Sequence, residues 1–105
     1  MDSYDPSALS KDEAYEFASN ERRRSLIRAL IAEGAQPLSR VVETVVDDAY
    51  DGSDEEPPTG ARRNVRVALG HTDIPTLDAA GVVSYDYTEE VVAPGDRIDE
   101  LEPLV

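Results

Sequence analysis

Leu77-Asp78-Ala79-Ala80-Gly81-Val82-Val83 ends a helix and begins a strand with no loop between them. Leucine and alanine favour helix, glycine stops it by accepting a left-handed backbone, and the β-branched pair that follows favours an extended chain. On the N-terminal side the same helix reaches back to Ala61, with Val65, Ala68 and Leu69 on one face and Pro75 as an expected kink or restart. On the C-terminal side, Val82–Tyr87 and Glu90–Ala93 flank Thr88-Glu89 in the pattern of a two-stranded hairpin, and Pro94-Gly95 stops it.

Further out the pattern is helical. Ser10-Lys11-Asp12-Glu13 has the spacing of a capping box, with Leu9 and Ala14 placed as a staple, so a first helix carrying Ala14, Phe17 and Ala18 starts there. Ser19 or Asn20 caps a second, over about 21–33, in which Leu26, Ile27, Leu30 and Ile31 form a stripe that Gly34 closes. After a Gln36-Pro37 turn, Ser39 is placed to cap a third helix with Val41, Val42, Val45, Val46 and Ala49 on its core face. Residues 51–60 are polar and rich in breakers and read as an exposed acidic loop; residues 1–8 read as an acidic tail. Asp96 is placed to cap a short C-terminal helix over about 96–104, carrying Ile98, Leu101 and Leu104. The expectation is one mainly α domain with a small β-hairpin (α+β), spanning residues 9–105.

Composition narrows the function classes. The 105 residues suffice for one core, and the absence of cysteine with His71 as the sole histidine excludes disulfides and thiolate or histidine-cluster metal sites. No nucleophile, base and orienting group recur together and no phosphate-cradling glycine loop is present, so no catalytic residue, cofactor or metal is expected. Without a long apolar run or the basic and apolar regions of a signal peptide, the expected compartment is the cytoplasm, with no membrane partner. Against 10 basic residues stand 23 acidic ones, for a net charge of -13, and Lys11 is the only lysine. Such a surface repels itself and nucleic acid in dilute buffer, whereas in molar salt the Debye length is ~3 Å; the composition reads as adaptation to a salt-rich cytoplasm.

Helix, helix, helix, kinked helix and hairpin follow one another as in a winged helix-turn-helix. Together with Phe17-Ala-Ser-Asn-Glu-Arg-Arg-Arg24 and Arg63-Asn-Val-Arg-Val-Ala-Leu-Gly-His71-Thr-Asp-Ile-Pro75, the helix-to-strand stretch resembles a family of mostly uncharacterised haloarchaeal winged helix-turn-helix proteins, themselves similar to ArsR-type transcriptional regulators. The likeness covers residues 9–93 and is most specific over 63–86. It implies a DNA-binding fold with Val41–Ala49 as positioning helix, Ala61–Ala80 as recognition helix and Val82–Ala93 as wing. Asp73 and Thr76 depart from the family pattern, standing where relatives tend to have a histidine and a basic residue, which takes positive character from two positions expected to face the groove.

The expected partner is double-stranded DNA, bound by a homodimer. Arg62, Arg63, Asn64 and Arg66 open the recognition helix, where arginine pairs well with guanine and asparagine with adenine; His71 lies further along the same helix. Arg22, Arg23, Arg24 and Arg40 are candidates for the phosphate backbone; the plainer alternative is that they pair with neighbouring carboxylates. The acidic loop is also placed to mask the arginines that follow it. Glu89 and Glu90 make the wing tip acidic where a DNA-gripping wing is usually basic, which supports an alternative: an interaction module that has lost DNA binding and meets a protein through its wing and C-terminal helix. Tyr85 and Tyr87 belong either to an interface or to a half-buried sheet face. Ile98, Leu101 and Leu104 pack either on a second copy or on the chain's own core.

Overall fold

The computed structural model describes residues 9–51 and 56–105. The tail, and residues 52–55 of the acidic loop, lie outside the described residues. Helix α1 (Lys11–Phe17) opens on the expected capping box: Ser10 Oγ accepts from the Glu13 N–H, and the Glu13 carboxylate accepts from the Ser10 N–H. Asn20 caps α2 (Glu21–Glu33) by accepting from the Arg23 N–H, and Gly34 ends it at φ 76°. Leu26, Ile27 and Leu30 are buried as expected, while Ile31 falls off the stripe and is exposed.

Gln36–Pro37 is a short strand, β1, and not the turn expected. Gln36 is buried with its Nε2 donating to the Ala29 carbonyl, and the pair aligns antiparallel with Val91-Val92. Helix α3 (Leu38–Ala49) therefore begins one residue before Ser39, directly after Pro37, with no side-chain cap. Its first N–H, on Leu38, instead donates to the Glu90 carbonyl at 2.8 Å. Val41, Val42, Val45 and Val46 are buried; Ala49, assigned to the same face, is exposed because it lies in the last turn.

The long helix divides in three: α4 (Ala61–Ala68), a π-helical turn (Leu69–Asp73) and α5 (Ile74–Ala79). The cause is Pro75, whose ring would clash with the carbonyl four residues earlier; the chain widens by one residue, and the Ile74 N–H donates to the Leu69 carbonyl. After Gly81 come β2 (Val83–Asp86) and β3 (Val91–Pro94), paired antiparallel with Tyr85 opposite Val92. The sheet order is β1-β3-β2. Gly95 must be glycine: a Cβ there would stand 2.3 Å from the Gly81 carbonyl oxygen, where the chain leaving β3 crosses the α5–β2 junction.

A 3₁₀ helix, Ile98–Leu104, closes the fold against α1 and α2. It starts after Arg97 with no side-chain cap, so Asp96 does not play that part. Ile98 and Leu101 are buried in the chain's own core, which decides between the two roles open for them. The molecule is thus mainly helical with a small three-stranded antiparallel sheet, and among the described residues no helix is long and apolar enough to cross a membrane.

Candidate nucleic-acid interface

Helix α4 packs on α3 and turns its first two turns outward. Ala61 and Leu69 are buried and Val65 is half-buried, which leaves Arg62, Arg63, Asn64, Arg66 and Val67 exposed, with His71 exposed beyond them. At about 100° per residue these positions spread over the half of the helix turned away from Ala61, Val65 and Leu69. Arg62 Nε donates to Glu43 of α3, and Arg66 Nη2 donates to Glu90 of the β2–β3 hairpin at 2.8 Å. Glu43 raises the Arg62 pKa through this bond, keeping the guanidinium charged. Arg63 and Asn64 make no side-chain hydrogen bond or ion pair among the described residues.

Between α4 and the hairpin runs an open groove of about 280 Å³, lined by Leu38, Arg66, Val67, His71, Tyr85 and Tyr87 among others. The two tyrosine rings meet edge to face at 4.6 Å. Tyr85 is half-buried and its phenol is pushed above the usual range, first by burial and then by the nearby Glu90 carboxylate, so it stays a neutral donor. Tyr87 is 68% exposed and Val67 49%, a large apolar exposure for positions facing one groove.

The second arginine group is elsewhere. Arg22 and Arg23 both grip Asp73, in the π-helical turn: Arg22 through Nε and Nη2, Arg23 through Nε at 2.9 Å. Asp73 is fully buried and Arg23 is 12% exposed, with Arg22 at 34%. Hydrogen bonding to Asp73 raises the Arg22 pKa. The expectation that Asp73 faces a groove is therefore corrected: it lies four residues after Leu69 and four before Leu77, both buried, so helical spacing puts it on the core side. That spacing was the signal missed. The expectation that Arg22 and Arg23 hold phosphates is corrected with it, because the donors they aim at Asp73 neutralise a buried carboxylate that would otherwise be costly.

Arg24 donates to the Ala18 carbonyl, Arg28 to the Val105 carbonyl, and Arg40 pairs with Glu33. Arg22, Arg24 and Arg28 line a separate cleft of about 390 Å³ with Glu21, Asp48 and Val65. The structure places Arg66 and His71 in the groove beside the hairpin, and Arg62, Arg63 and Asn64 exposed at the start of α4, outside the lining of that groove. It leaves Arg22, Arg23, Arg24 and Arg40 outside that groove.

Fold and surface define a small α+β domain whose outward feature is a basic helix end set beside an acidic, aromatic hairpin. Residues 15–93 match the family described as a domain of unknown function, DUF7344, and the chain belongs to it. No curated protein and no solved structure matches the chain significantly.

Proposed function

We propose that the chain is a winged helix-turn-helix transcriptional regulator that inserts α4 into the DNA major groove, with β2 and β3 as the wing. The strand order β1-β3-β2, with β1 set between α2 and α3, suits that architecture. The observation that carries the reading is that Arg63 and Asn64 stand exposed in the first turn of α4 with their donors and acceptors uncommitted among the described residues. Recognition helices address base edges from that position. The test is fluorescence anisotropy with a labelled pool of double-stranded genomic fragments in molar KCl, which screens the acidic surface. Saturable binding that falls at least about tenfold in Arg63→Ala/Asn64→Ala is the expected result, as two base contacts are worth ~1–3 kcal/mol each. No saturable binding by folded wild-type protein refutes the reading.

A second reading has its own observation. Exposed Tyr87 and Val67 lie beside Asp86, Glu89 and Glu90, a mixture suited to a protein surface carrying basic residues. On that reading Tyr87→Ala weakens a protein complex and Arg63→Ala is neutral.

A further inference from the structure

Glu90 holds a backbone conformation that its residue type seldom adopts, with φ at 54° in the left-handed region. Non-glycine residues stay there only where surrounding contacts over-determine them. Two contacts do so here. The Glu90 carbonyl accepts from the Leu38 N–H at 2.8 Å, fastening the wing turn to the start of α3. The Glu90 carboxylate reaches α4, where Oε2 accepts from Arg66 Nη2 at 2.8 Å.

The partners are 46% and 57% exposed, so the pair is open to exchange with an external anion. Chemically, a carboxylate oxygen accepting a guanidinium N–H stands where a phosphate oxygen would stand. Arg63, three residues earlier on the same helix, has no carboxylate within 4.0 Å among the described residues, so its positive charge favours an anion near this part of α4. We infer that Arg66 is a phosphate-binding residue whose site Glu90 occupies in the free protein, so that a backbone phosphate binds by displacing the Glu90 carboxylate. The inference rests on the DNA-binding reading. Displacement trades one ion pair for another and leaves a negative charge beside the phosphates, so the affinity that Arg66 supplies is partly offset while Glu90 is present.

Glu90→Gln removes the charge and keeps the side-chain length; Glu90→Gly removes both the carboxylate and the cost of the positive φ. Both are measured as full-length protein by anisotropy on labelled double-stranded genomic fragments across a KCl series, with folding checked by circular dichroism. Each should bind about two- to fivefold tighter than wild type, the factor an exposed ion pair supports. The plot of log K against log[KCl] should steepen by about 0.9, the increment for one newly neutralised phosphate. Adding Arg66→Ala to Glu90→Gln should cancel both changes, and Arg66→Ala alone should weaken binding by about two- to fivefold, because the Glu90 carboxylate is then left unpaired beside the phosphates. Wild-type binding with unchanged affinity and slope in both Glu90 variants overturns the inference and leaves the DNA reading standing. Loss of binding in Arg66→Ala alone, as severe as in Arg63→Ala, overturns it too. No binding by the wild type or by either Glu90 variant overturns the DNA reading and the inference together.

Discussion

Replacing Asp73 tests the assignment of Arg22 and Arg23 most directly. The carboxylate is fully buried, and two guanidiniums converge on it, one of them 12% exposed. Breaking a buried pair by removing one partner costs roughly 3–5 kcal/mol, because the remaining charge is left without compensation. Two features reduce that figure here. Arg22, at 34% exposed, can turn partly to solvent, and its share is discounted for screening. Asparagine also keeps one carbonyl acceptor for the Arg23 Nε. Asp73→Ala should therefore lose about 3 kcal/mol and Asp73→Asn about 2 kcal/mol, read as a lower urea midpoint at unchanged m-value and fixed KCl. A double-mutant cycle over Arg23→Gln and Asp73→Asn should return a coupling that persists in molar KCl, since solvent ions do not reach a sealed carboxylate. The same cycle over the exposed Arg40–Glu33 pair should fall to nothing there. Loss of less than ~0.5 kcal/mol in Asp73→Ala, the range of an ordinary surface change, refutes the buried clamp.

Three further outcomes follow from other contacts. Gly95→Ala should cost about 1–3 kcal/mol in urea unfolding, because its Cβ would meet backbone at Gly81 and Val82, which cannot yield as a side chain can. Leu101→Ala should cost about 2–5 kcal/mol, and Leu101→Asp should unfold the chain where a role between subunits would leave a folded monomer, since Leu101 is fully buried. The Glu13 carboxyl is held below its ordinary value of 4.5, first by the Ser10 N–H and then by the Ser10 hydroxyl. A depressed folded pKa gives stability that is present above the unfolded value and lost as pH falls through the folded one. Protection factors in α1, referred to the intrinsic exchange rate at each pH, should therefore fall only below about pH 4.5, and Glu13→Gln should remove that fall.

What the residue pattern revealed was whatever repeats or caps locally. The capping box at Ser10 and Glu13, the Asn20 cap, the Gly34 stop and the valine stripe of α3 all have periods or spacings of three or four residues, and all stand as read. The hairpin was legible for the same reason, to within a residue at each end. Strand β1 was not, because two residues carry no periodicity and Pro37 looks like a turn; it exists because Val91 and Val92 supply a partner from far along the chain. The partners of the arginines were illegible for a related reason. Glu43 and Glu90 come from other elements, and with 23 acids available no spacing singles them out. For Asp73 a signal was present and went unread: its place four residues from both Leu69 and Leu77 puts a carboxylate on the core side, where it requires cations nearby.

Burial separates two arginine groups that look alike in composition. Seven of the nine arginines have a carboxylate within 4.0 Å among the described residues, Arg63 and Arg97 being the others. At the start of α2 the carboxylate is sealed in the core, so removing Arg23 exposes the protein to a desolvation cost and the pair serves folding in any salt. On α4 the pairs are exposed, so molar salt weakens them and an external anion can replace them. The same salt suppresses counterion release, which is the usual source of affinity for DNA. On the proposed DNA-binding reading, binding in molar salt would have to come from directed hydrogen bonds and close apolar contact, for which Arg63, Asn64 and Val67 stand exposed on α4. On that reading binding should vary little with salt in the wild type and gain a log–log slope of about 0.9 once Glu90 is neutralised, a contrast that an acidic interaction module would not produce.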